Sequence, residues 1–296
     1  MSLLSSQWLN YLPHNLLLFS KKNIYSYMRY AQQLRQATQG YAEHGQKYTD
    51  QTLFIAGLPK SGTSWLKKML ASYQGYTEVM LPEANKFEIE QGSSHQFDLP
   101  VNTFSRLKEK LTVLKLHVHA SEHNLKLLKQ EQIPIVILYR DLRDVAVSYY
   151  FYVKNTPWHP EHPLYQHTDL EAGLTYFAHS RLMEYVQWIE AWNEAQPFAN
   201  CLTVRYEDLL TTPEQTFTKI AQHYHLDSSP NKISEIIDQN SFQRLSGGRQ
   251  EGKENQQSFY RKGIQGDWKN QFTPKLFDLY EGMVGDFLCS YGYESF

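Results

Sequence analysis

The chain has 296 residues, 41% hydrophobic and 20% charged, with 29 lysines and arginines against 31 acids for a net charge of -2. That balance excludes a disordered chain and a disulfide scaffold, and it gives no bulk electrostatic reason to bind nucleic acid or an anionic membrane. Cys201 and Cys289 lie far apart outside any CxxC spacing, which fits a reducing compartment, taken as the cytoplasm, and leaves no cysteine zinc site.

The apolar stretch from Trp8 to Phe19 is broken by Asn10, Pro13, His14 and Asn15. It is shorter than the roughly 20 apolar residues of a bilayer span. Lys21 and Lys22 follow it, the reverse of a signal peptide. Residues 1–48 are expected to be a helical segment packing on the domain formed by 49–296; a lid or interfacial patch near an apolar site is the other reading.

From there β-rich runs alternate with helical patterns. Strands are expected at Thr52 to Ala56, Leu111 to Leu116, Ile133 to Tyr139 and Cys201 to Tyr206. Helices are expected over Asp141 to Lys154, 169–195, 213–224 and Pro274 to Leu288, with Thr212 as N-cap and Pro213 opening the third. Asn240 to Gly266, with five glycines among polar residues, reads as a long loop. The alternation predicts an α/β fold: one domain, a central parallel β-sheet flanked by helices, and a P-loop-like phosphate-binding loop.

That loop is the turn from the first strand into a helix beginning near Thr63 or Ser64. Gly57 and Gly62 let the backbone bend and aim N–H groups inward, and the helix N-terminus adds roughly half a positive charge. Against the triphosphatase pattern GxxxxGK[ST], the lysine position holds Thr63, and the loop lysine is Lys60, upstream. Triphosphate chemistry, and with it the rival reading as a P-loop small-molecule kinase, loses ground.

Three other places carry chemistry. His117 follows Lys115 by two, so both side chains leave one face of a strand and aim a base and a cation together; His119 shares that parity and is the rival base. Arg140 stands at a strand-to-helix junction with Ser148 two turns inside, suited to phosphate capture, although Arg140 could equally be paired with Asp144. Arg261, Lys262 and Gly263 form a glycine-broken basic turn that is either a phosphate grip or solvated. Trp65 and Tyr206 could be core aromatics, and each histidine a structural one. No carboxylate or Cys/His cluster suggests a metal.

These segments together resemble the cytosolic-type sulfotransferases that use 3′-phosphoadenosine 5′-phosphosulfate (PAPS). PKSGTSW is similar to the family's PKSGTTW, RDLRDVAVSYY to RNxKDVAVSYY, RKGIQGDWKN to RKGxxGDWKN and KLH to KTH. The resemblance implies roles residue by residue. Lys60 would assist departure of the leaving group, with Ser61, Gly62, Thr63 and Ser64 on the 5′-phosphate and Trp65 stacked on the adenine. Arg140, Ser148, Arg261, Lys262 and Gly263 would hold the 3′-phosphate, with Trp268 a packing anchor. Tyr206, Ser241 and Phe242 would touch the adenine. His117 would be the general base and Lys115 would support the sulfuryl group.

The implied reaction is in-line transfer of a sulfuryl group from PAPS to a small-molecule hydroxyl acceptor, releasing adenosine 3′,5′-bisphosphate (PAP), with no metal. Segments expected to line the acceptor pocket are Leu81 to Phe97, Phe151 to Tyr165, Met183 to Trp188 and Arg244 to Ser258. The family's dimer motif KxxxTVxxxE is degraded to Lys269, Thr273, Pro274 and Asp278, which leaves the oligomeric state open. A nucleotide-binding module without catalysis is the remaining alternative.

Overall fold

A computed structural model describes residues 14–92, 95–198 and 200–295. Its sheet contains β1 (Thr52–Gly57), β2 (Thr77–Val79), β3 (Thr112–Leu116), β4 (Ile135–Tyr139) and β5 (Cys201–Arg205), all parallel, in the order β2-β3-β1-β4-β5. Four of these match the expected strands within two residues. β2 was not anticipated: three residues at a sheet edge carry too little periodicity to register.

The sequence of β1, TLFIAG, is buried throughout because a parallel strand is covered on both faces. Side-chain alternation splits it between two cores. Leu53 and Ile55 join Leu66, Met69 and Phe217 on one face, while Phe54 and Ala56 join Val145, Trp188 and Tyr280 on the other. The helices covering these faces include α1 (His14–His44), α2 (Thr63–Ala71), α3 (Pro82–Gln91), α4 (Glu122–Gln130) and α5 (Leu142–Lys154).

The chain leaves β1 toward β2 and leaves β4 toward β5, so the strand order reverses between β1 and β4. A crevice opens at the carboxyl ends of strands at such a point. Leu58 N–H donates to the Leu138 carbonyl at 2.8 Å and closes the sheet just below it.

α1 packs against the β2–β3 edge, burying Tyr30 and Ala37. Gln33 Oε1 accepts from Met80 N–H at 3.1 Å, and the Ala37 carbonyl accepts from Leu111 N–H at 3.1 Å. Of the apolar stretch Trp8 to Phe19, residues 8–13 lie outside the described residues. Among the described residues no helix is long and apolar enough to cross a membrane.

Several expectations need correction. The run 169–195 is two helices, Leu170–Phe177 and Met183–Ala195, joined by a π turn over Ala178–Leu182. Thr212 stands at the N-cap, but its hydroxyl donates to the Asp208 carbonyl at 3.0 Å instead of capping. The segment 240–266 contains a short helix, Phe242–Leu245. Tyr206 begins the helix Tyr206–Thr211 and does not end β5.

Candidate active site

At the crevice lies a cavity of about 290 Å³. It gathers, from positions scattered over the whole chain, Lys60, Gly62, Thr63, Ser64, Trp65, Lys115, His117, Arg140, Ser148, Tyr206, Ser241, Phe242, Arg261, Lys262 and Gly263. Of the residues expected to bind the donor or act in catalysis, Ser61 does not line it; Ser61 is fully buried beneath the loop, its hydroxyl without a hydrogen-bond partner.

The first wall is the turn from β1 into α2. Lys60 adopts φ 64° and Gly62 φ 79°, so two left-handed residues curl the backbone into a concavity at the α2 N-terminus. A side chain at Gly62 is excluded, since its Cβ would lie 2.6 Å from the Tyr206 ring. Trp65 Nε1 donates to the Asn240 carbonyl at 2.8 Å, and its ring meets Tyr206 edge-on at 6.2 Å, so it is pinned at the cavity rim rather than buried in the core.

The second wall joins α5 to the basic loop. Arg140 donates to Asp144 at 3.0 Å and to the Ile264 carbonyl at 2.8 Å, stacks 4.3 Å from the centre of the Tyr206 ring, and keeps its Nε without a partner. The Asp144 pairing is therefore made, and Arg140 still lines the cavity. Asp144 also accepts from Gly266 N–H at 2.7 Å and from Trp268 N–H at 3.0 Å, fixing the loop to the helix. Trp268 is buried over Arg143 at 3.8 Å and acts as the expected anchor.

Arg261 and Lys262 are not solvated. Both pair with Asp267, and Arg261 also pairs with Glu254. Burial opposes charge on Asp267, but hydrogen bonds from Lys262 and Arg261 outweigh it and hold the carboxyl below its ordinary range. Gly263, at φ 68°, has the Phe242 ring 2.3 Å from where a Cβ would be.

The third group sits at the end of β3. The strand ends at Leu116, so His117 stands just past it. Lys115 Nζ lies 2.9 Å from His117 Nε2, and His117 Nδ1 bonds the Gly57 carbonyl. A carbonyl only accepts, so Nδ1 carries the ring proton and the Nε2 lone pair receives Lys115. Burial, then the Lys115 charge, push the His117 pKa well below the ordinary imidazole value. Burial also lowers Lys115. Lys60 is pushed down to about 7, first by burial and then by Arg140, Lys115 and Arg261.

His119 is elsewhere. Trp188 Nε1 donates to the carbonyls of His117 and Val118, 3.0 Å from each, and His119 N–H donates to the His95 carbonyl at 2.8 Å. The chain thus leaves the strand path, and His119 lines a separate hollow with His95, Glu184 and Trp188. Met183 to Trp188 contributes there and not to the main cavity, correcting its expected place beside the acceptor.

Glu88, Tyr149, Tyr152, Glu251, Phe259 and Tyr260 also line the cavity and were not singled out individually from sequence. Most fall in or beside the segments expected at the acceptor side, but nothing in the local pattern of those segments marks which residues turn inward.

Residues 50–284 match the family model described as Sulfotransferase domain. Sulfotransferase 1E1 of Mus musculus is 27% identical over 249 residues, covering 77% of this chain and 80% of that protein. Sulfotransferase 2A1 of Homo sapiens is 26% identical over 266 residues, covering 76% and 79%. Among solved structures, mouse sulfotransferase SULT7A1 complexed with PAP superposes with a TM-score of 0.61 at 23% identity, covering 81% of this chain and 89% of that one. Retinol dehydratase in complex with androsterone and inactive cofactor PAP superposes with a TM-score of 0.59 at 17% identity, covering 84% and 85%. Matched by that family model over most of its length, the chain belongs to the sulfotransferase family.

Proposed function

We propose that the cavity binds PAPS and a small-molecule alcohol or phenol side by side, with His117 as the general base. The observation that carries this reading is the convergence of His117, Lys115 and Lys60 with two separate phosphate-type cradles in one cavity. The residues fit such a donor. Arg140, which lines the cavity, keeps a buried Nε donor without a partner, and the backbone at Gly62 and Gly263 leaves no room for a side chain between loop and rings. The structural relatives named above are described as PAP complexes, which accords with this assignment.

Thr63, Ser64 and the N–H groups of the α2 N-terminus would hold the 5′-phosphate. Arg140, Ser148, Arg261, Lys262 and the Gly263 backbone would hold the 3′-phosphate. Trp65, Tyr206, Ser241 and Phe242 line another part of the cavity and would flank the adenine.

His117 Nε2 takes the acceptor's hydroxyl proton as the acceptor oxygen bonds to sulfur. The sulfur–oxygen bond to the phosphate breaks with its electron pair going to PAP, and Lys60 meets that charge. Lys115 occupies the Nε2 lone pair in the free protein, so it must turn away before His117 can act; negative sulfuryl oxygens give its ammonium an alternative partner. The acceptor would lie among Glu88, Tyr149, Tyr152 and Phe259, an aromatic setting with a polar edge that suits a phenol or an amphiphilic alcohol.

The test is transfer of radiolabelled sulfate from PAPS to a panel of phenols, alcohols and sugars. A positioned base contributes about 10²–10⁴-fold, so His117→Ala should lose turnover by at least about 100-fold while binding PAP as before. Turnover that survives in the variant would remove His117 from this role.

A further inference from the structure

Lys60 ends in a half-buried ammonium that makes no hydrogen bond or ion pair among the described residues. What it does meet is two aromatic faces: the Tyr152 ring centre is 4.0 Å from Nζ and the Phe259 ring centre 5.1 Å. One ring comes from α5 and the other from the basic loop, two residues before Arg261. We propose that Tyr152 and Phe259 are positioning residues that clamp the Lys60 ammonium, so that the loop carrying Arg261 and Lys262 sets the leaving-group lysine in place. The proposal rests on the donor-side reading of Lys60 given above.

Phe259 is 59% exposed, an unusual place for a phenylalanine ring, and among the rings of the described residues it meets that of its neighbour Tyr260, at 5.2 Å. The loop does not need that ring for its own shape. Arg249 ties the loop together through the Lys253 and Arg261 carbonyls, both at 2.9 Å, and Ser258 Oγ at 3.0 Å. Gly252 N–H to the Lys262 carbonyl and Asn255 N–H to the Arg261 carbonyl, each 2.9 Å, complete the tie. The Phe259 ring is thereby available to Lys60 from the cavity wall.

A lysine on a four-carbon stem has many rotamers, and an aromatic face attracts its ammonium electrostatically when water is partly excluded. The strained left-handed backbone of Lys60 fixes where the stem starts, and the two rings fix where it ends. Grip at Arg261 and placement of Lys60 thereby become one event.

The experiment has two arms. In the first, Phe259→Leu and Phe259→Trp are made in the wild-type and Lys60→Met backgrounds, and PAPS turnover with a phenol acceptor is measured beside PAP binding. Phe259→Leu should lower kcat about tenfold with PAP affinity within about twofold, Phe259→Trp should restore it, and Phe259→Leu should add less than about twofold to Lys60→Met. An equal loss in both backgrounds, or a parallel loss of PAP affinity, overturns the clamp.

The second arm needs no turnover. In ligand-free protein carrying ¹³C-lysine, the Lys60 ε-methylene signal, assigned by its disappearance in Lys60→Met, should be shifted upfield by the rings and should move back in Phe259→Leu. A signal at the position of free lysine in the wild type overturns the clamp even if transfer activity is established. An upfield signal in a protein without transferase activity keeps the clamp and sinks the donor-side reading alone.

Discussion

Replacing Asp144 by asparagine tests how the site is held together. The carboxylate is fully buried and accepts three hydrogen bonds: from Arg140 at 3.0 Å, from Gly266 N–H at 2.7 Å and from Trp268 N–H at 3.0 Å. Asparagine keeps the shape but loses the charge, and its amide nitrogen must face one of these donors. Removing one partner of a buried ion pair costs about 3–5 kcal/mol, because the other charge is left uncompensated. For a chain of 296 residues the unfolding entropy corresponds to roughly 0.6 kcal/mol per degree. The expected fall in melting temperature is therefore about 5–8 °C. Because the same carboxylate fastens the loop of Arg261 and Lys262 to α5, PAP affinity should fall as well, by about tenfold or more. Thermal and urea unfolding followed by fluorescence give the loss of stability and calorimetric titration with PAP the loss of affinity. A loss of stability under about 1 kcal/mol with PAP affinity unchanged would refute the reasoning, since the loop would then be fixed by other contacts.

Three further outcomes follow from the site. Lys60, brought down to about 7, must be protonated to meet the leaving group's charge, and His117, held below the ordinary imidazole range, must be neutral. The value of kcat/KM for PAPS should therefore fall above pH about 7, with its acid limb lying below pH about 6.5; a rate that rises steadily to pH 9 would contradict this. The same depression means that, between pH about 7 and 10.5, the unfolded chain holds a proton that folded Lys60 has released. Its contribution makes stability rise with pH across that window, and urea midpoints at pH 7 and 9, compared with Lys60→Met, measure it. Gly263→Ala would place a Cβ 2.3 Å from the Phe242 ring at φ 68°, so PAP affinity should drop about tenfold or more; titration showing native affinity would mean that the ring yields freely.

The sequence by itself determined the fold class, the family and nearly all of the residues proposed for the donor side, which the fold gathers around one cavity. The reason is that each motif is a local device. Lys60 to Trp65 lie where a strand runs through a glycine turn into a helix, Arg140 to Ser148 where a strand runs straight into a helix and Arg261 to Gly263 in a glycine-broken loop, so each writes its constraints into consecutive residues. The Lys115 and His117 pair was legible for the same reason, because strand geometry sets side chains two residues apart on one face.

Only the tertiary structure decided what depends on distant packing. It turned His119 into a separate hollow through hydrogen bonds from Trp188, on a helix some 70 residues along the chain. It paired Arg261 and Lys262 with Asp267 and bound Asp144 to the loop 122 and 124 residues away, giving the basic turn a fixed shape. It also brought Tyr152 and Phe259 to Lys60 and turned Glu88 into the cavity. No periodicity or spacing encodes such meetings, because they arise where elements remote in sequence share a surface, and the burial that joins them is a property of the whole packed domain.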